Sequence, residues 1–210
     1  LHPYSEELAK AYVDQLPDEL DLSDRGLRDL SSGFARFLAE HGPTFAADGL
    51  SLTAWEARID RGLAMLLRPP SRLFGDVGLP TEVARKLPIR LDLHEGQMGG
   101  GYLPARLASD AAALLDRNLE RSVRRMAEAE MDAARLQGLM TEAVQYADAH
   151  NLGLFEAIGV VVDTEPASWP RSGRVVVMPS DRDVQRRVAL ALKPKPKPGR
   201  LSRLLGRFSG

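Results

Sequence analysis

Between Ile89 and Arg106 the chain reads IRLDLHEGQMGGGYLPAR, and the side chains best suited to chemistry are gathered there. Ile89, Leu91 and Leu93 alternate with Arg90, Asp92 and His94, a period of two that predicts a half-buried strand. On such a strand Asp92 and His94 share a face, and Glu95 follows at once. A carboxylate, an imidazole and a second carboxylate form a set that can move protons or hold a cation. Gly99, Gly100 and Gly101 come next, then Arg106, so a glycine loop closing its N–H groups on an anion is a second chemistry open to this stretch.

The spacing argues against both. A nucleotide loop of the Walker type needs lysine and Ser/Thr after its last glycine, where Tyr102 and Leu103 stand. The dinucleotide fingerprint would need a glycine at the position of Pro104. Pro104 suits the first turn of a helix, because it has no N–H to satisfy. His2, His41 and His150 are far from His94 in sequence, so no second imidazole stands at ligand spacing. No serine lies in a GxSxG elbow. The preferred reading is therefore a structural glycine turn beside a solvated strand face. A ligand set of Asp92, His94, Glu95, Gly99, Gly100, Gly101 and Arg106 is the alternative. No catalytic residue, metal or cofactor is assigned.

The 210 residues fit one domain with an appendage, 44% of them hydrophobic and 27% charged, as in a globular chain. The absence of cysteine excludes disulfides, thiolate metal sites and cysteine nucleophiles. The apolar run AIGVVV, residues 157–162, is too short to cross a bilayer, and LHPYSEEL lacks a signal-peptide pattern. A cytoplasmic location is the expectation, with attachment at the inner membrane surface through the C-terminus. The preponderance of arginine over lysine, with abundant alanine and leucine, predicts a GC-rich bacterial origin.

Charge is distributed unevenly. Residues 193–210 hold Lys193, Lys195, Lys197, Arg200, Arg203 and Arg207 and no acid. Removing these six from the 28 cations leaves 22 against 29 acids, a net charge of −7 over residues 1–192. Nucleic acid is a poor partner for such a body, since phosphate binding needs clustered positive charge. Alternating Lys-Pro over residues 193–199 makes an extended spacer, about 3.1 Å per residue. Beyond it Leu201, Leu204, Leu205 and Phe208 fall on one helical face, with Arg200, Arg203 and Arg207 on a flank. This basic amphipathic segment is too short to be a stable helix in water and is expected to fold on contact with an anionic membrane or a protein partner.

The remaining elements form the scaffold. Ser5 and Ser23 are expected helix caps, Leu22 and Leu27 a hydrophobic staple, and HGP at 41–43 a stop. Thr53 with Glu56 reads as a capping box for a third helix striped by Trp55, Ile59, Leu63, Leu66 and Leu67 and broken by Pro69 and Pro70. A short helix is expected from Thr81 to Lys86. Residues 105–151 must divide into two or three helices, with Gly138 as the glycine break and a second near Asn118. Arg117, Arg121, Arg124 and Arg125, interleaved with Asp116, Glu120, Glu128 and Glu130, read as a solvated face. LFEAIGVVVD at 154–163 and RVVVMP at 174–179 read as strands forming an antiparallel pair. Ser180 with Asp183 opens a last helix through Leu192.

These readings give an α+β fold, predominantly helical, with helices packed on a small mainly antiparallel sheet. Residues 1–192 form a single acidic body, 193–199 a spacer and 200–210 the tail. The expected function is that of a noncatalytic bacterial interaction or regulatory protein localised by Arg200, Leu201, Arg203, Leu204, Leu205, Arg207 and Phe208. The alternative is a small enzyme or ligand-binding domain using the glycine loop with Asp92, His94 and Glu95.

Overall fold

The helix caps expected at Ser5 and Ser23 form. In the computed structural model, which describes residues 1–87, 101–157 and 174–193, the Ser5 hydroxyl accepts from the Leu8 N–H and opens α1 (Glu6–Val13). The Ser23 hydroxyl does the same for Gly26 at the start of α2 (Asp24–His41), which ends at Gly42. Leu27 is buried, but Leu22 is 41% exposed, so the expected staple is not closed. The strand expected at 89–93 and the C-terminal tail lie outside the described residues.

The third helix departs from expectation. α3 (Leu52–Arg58) begins two residues early, capped by Ser51 through a 3.0 Å bond from the Ala54 N–H, while Thr53 is bound elsewhere. The stripe continues past Arg58, but the backbone tightens into a 3-10 turn at Arg61–Met65. The helical run stops at Met65, before Pro69 and Pro70 could break it, and Pro70 takes the first position of a helix, which proline permits, α4 (Pro70–Asp76). α5 (Thr81–Ala84) follows.

After a 3-10 turn at Ala105–Leu107 come α6 (Ala108–Glu128) and α7 (Ala133–Ala149). The break lies between them, where Glu130 adopts φ 56° and Asp132 caps α7. Gly138 and Asn118 are both interior to helices, contrary to expectation. The reason for glycine at 138 is steric: a Cβ there would lie 2.5 Å from Pro179. α8 (Arg182–Leu192) is capped by Asp181, not Ser180, and packs on α6 and α7.

Three short strands tie these helices together. β1 (His2–Tyr4) and β3 (Tyr102–Leu103) both pair antiparallel with β4 (Gly153–Phe155), which lies between them. β2 (Thr44–Phe45) pairs in parallel with β5 (Val175–Val176). Among the described residues the expected antiparallel pair of late strands is not seen: β4 has two partners from earlier in the chain and β5 pairs with β2, while residues 158–163 of the first expected strand lie outside the described residues. The fold is helix-dominated α+β, with a three-stranded antiparallel sheet and a two-stranded parallel one.

Strand alternation divides the interior. Leu103 and Leu154 belong to a core built by α3, α6, α7 and α8. Tyr4, Tyr102 and Phe155 belong to a second core with α2, α4 and α5, where Phe34 meets Phe155 and Phe74 edge-on, with centroids 4.9 and 5.1 Å away. No helix among the described residues is long and apolar enough to cross a membrane.

The close approach of α7 to Pro179 has a measurable consequence. Gly138→Ala should lower stability by about 1–3 kcal/mol despite alanine's higher helix propensity, because the proline ring cannot swing aside. Urea denaturation of the two proteins checks this; an unchanged or raised midpoint would contradict the packing.

Candidate functional site

Glu156, the residue after β4, is 1% exposed and holds the start of α3. Ser51 donates to its Oε1 at 2.5 Å, and Thr53 donates to Oε2 from its N–H at 3.0 Å and its hydroxyl at 2.9 Å. Thr53 Oγ1 also accepts from the Gly101 N–H at 3.3 Å. One carboxylate thus orients the helix cap and pins the end of the glycine stretch. Thr53 binds Glu156, 103 residues distant, and so cannot close a box with Glu56. Burial pushes the Glu156 carboxyl above the ordinary range, more strongly than its three donors pull it down.

The other end of α3 forms a cleft. Asp60 follows the helix with its side chain only 3% exposed, and accepts from the Gly62 N–H at 3.0 Å, from Asn118 Nδ2 at 2.6 Å and from Arg121 at 3.0 Å. Arg125 donates to the Ile59 carbonyl at 2.6 Å. These bonds clamp the α3 corner to α6. Gly62 has little room for a side chain, since a Cβ would lie 3.2 Å from both Asp60 Oδ1 and Leu114 Cδ1.

Between the corner and α6 is an open cavity of about 750 Å³. Arg117, Arg121 and Arg125 line one wall, Arg58 and Arg61 the other, and Asp60 contributes the one carboxylate of the lining. Five guanidinium groups against one carboxylate give the lining a formal charge of +4. Arg58, Arg61 and Arg117 are exposed and make no hydrogen bond or ion pair among the described residues. Arginine's planar fork suits carboxylate and phosphate oxygens, so the arrangement is chemically an anion receptor.

Arg117, Arg121 and Arg125 are exposed, as a solvated face requires, and part of that face opens on the cleft. Arg124 does face its neighbour Glu120, to which it is bonded, but Arg117, Arg121 and Arg125 converge on the cavity. Their i, i+4, i+8 spacing was the available signal. Nothing local pointed to Asp60, or to Arg58 and Arg61 as the facing wall.

Asp92, His94, Glu95, Gly99 and Gly100 lie outside the described residues, as do Arg200, Leu201, Arg203, Leu204, Leu205, Arg207 and Phe208. Of the ligand set, Gly101 is tied to Thr53, and Arg106 is exposed on the 3-10 turn, where its charge acts on Tyr102. Neither lines the arginine cleft. No group of three or more His, Cys, Asp or Glu among the described residues is placed to hold a metal. In comparison with known proteins, the chain matches no family model, no curated protein and no solved structure.

The buried carboxylate carries a pH dependence of definite sign. Because the folded pKa of Glu156 lies above its ordinary value of 4.5, folding takes up protons here. Its contribution to stability is full below about pH 4.5 and is lost as pH rises through the raised pKa. Glu156→Gln should therefore flatten stability against pH above 4.5. Glu156→Ala should cost about 1–3 kcal/mol by stranding Ser51 and Thr53. Urea midpoints from pH 4 to 8 measure both, and parallel curves for wild type and Glu156→Gln would refute the assignment.

Proposed function

We propose that the chain is a noncatalytic interaction or regulatory protein whose body receives an anionic group in the arginine cleft and whose basic C-terminal segment localises it. The observation that carries the reading is the imbalance of the cleft. Five arginines face a single carboxylate, and that carboxylate is committed to Gly62, Asn118 and Arg121. Such a lining supplies attraction and orientation for a negative group, while Asp60 is engaged in holding the walls.

Localisation rests on the sequence of residues 193–210. Four apolar side chains on one face, each contributing roughly 1.5–3 kcal/mol if fully buried, are joined by cations contributing about 1 kcal/mol each near an anionic surface. Together they offset the ordering of a short peptide and give reversible attachment at the inner membrane surface or to a protein partner. An acidic body is repelled by the same membrane, so the Lys-Pro spacer has a physical purpose in holding the two apart.

Cosedimentation with phosphatidylserine-containing vesicles tests the membrane form of this reading. The full chain should sediment, with salt-sensitive recovery. The chain ended after Leu192 should lose at least tenfold in vesicle affinity while melting at an unchanged temperature. Equal recovery of the two would remove the tail from the account.

A further inference from the structure

We infer that the arginine cleft is a receptor for the short oligophosphate chain of a small molecule, such as a nucleoside triphosphate or inorganic tripolyphosphate. This rests on the anion-receptor reading above and narrows it to a ligand class.

The argument begins with length. Arg117, Arg121 and Arg125 stand four residues apart on α6, so their attachment points are spaced about 6 Å apart and span about 12 Å. Arg58 and Arg61 face this row across the cavity. A single tetrahedral anion cannot engage both walls over that length, whereas a row of linked phosphates can. The cavity volume of about 750 Å³ is also that of a small-molecule site, of roughly 300–1,000 Å³.

Charge density gives the second constraint. A lining of +4 is best matched by several negative charges held close together. Three of the five arginines lack intramolecular partners among the described residues, so their forks are open to bidentate bonds with phosphate oxygens. Arg121 and Arg125 are already fixed by Asp60 and the Ile59 carbonyl, which preorganises the row before a ligand arrives.

The third constraint excludes a long polyanion. Residues 1–192 carry a net charge of −7, so a strand extending beyond the cleft would meet an acidic body. A compact oligophosphate keeps its charge within the one cationic cavity.

Isothermal titration of the full chain separates the outcomes, using orthophosphate, inorganic tripolyphosphate, ATP and a twenty-residue oligothymidylate. Tripolyphosphate or ATP should bind in a saturable, salt-sensitive way at least tenfold more tightly than orthophosphate. Arg117→Ala and the pair Arg58→Ala/Arg61→Ala should each weaken this about tenfold or more. Arg124→Ala, which alters the outward pair with Glu120, should leave it unchanged. Circular dichroism melting checks that the variants are folded. ATP binding tighter than tripolyphosphate assigns the nucleoside source, and the reverse the inorganic one; either supports the inference. Equal affinity for orthophosphate and tripolyphosphate overturns the inference and leaves the anion receptor standing. Tighter cleft-dependent binding of the oligothymidylate overturns it in favour of a polymer. Absence of binding by every probe overturns both readings.

Discussion

Four consecutive residues, Gly153 to Glu156, hold the molecule in register. β4 is paired on both edges, so its backbone is committed to β1 and β3, and each of its side-chain positions is committed as well. Gly153 must be glycine in this packing, because a Cβ would lie 2.4 Å from the Tyr4 ring and 2.6 Å from the Leu103 carbonyl. Leu154 and Phe155, pointing to opposite faces, enter the two cores in turn. A slip of one residue would exchange the cores and take Glu156 away from Ser51 and Thr53.

From that strand the constraint passes through α3 to the cleft. Glu156 fixes the helix at its N-terminal end, and seven residues of helix deliver Ile59 and Asp60 to α6. The buried Asp60 carboxylate is expensive to desolvate, and three donors compensate it; in exchange it sets Arg121 and Asn118 in place. The positive field of the cavity is then created by backbone geometry more than by composition. In a body of net charge −7, five arginines face one another because two helical segments cross at a fixed place. A cavity with walls of one sign concentrates its field, and the proposed selectivity toward dense anions would then need no basic protein overall.

Opposed charges at the two ends of the chain complement this arrangement. In the proposed reading the cationic segment beyond the Lys-Pro run would meet an anionic surface while the acidic globule stayed clear of it.

Much of the helical scaffold was legible because its causes are local. Ser5 and Ser23 cap their helices through bonds reaching three residues ahead. Where the cause was remote, local reading chose the wrong residue. Thr53 resembled a cap until Glu156 claimed it, Gly138 resembled a break until Pro179 accounted for it, and the start of the first late strand was paired with the second until β1 and β3 took both edges of β4. The cleft belongs to the same class: the arginine row on α6 was visible as spacing, but its facing wall and its Asp60 clamp were not. The Ser5 and Ser23 caps and the acidic body with its cationic end follow from the sequence alone, since they depend on neighbours within a turn or on total charge. Strand partners, the two cores and the cavity were decided only in the tertiary structure, because they depend on which distant groups compete most successfully for the same buried donors and the same space.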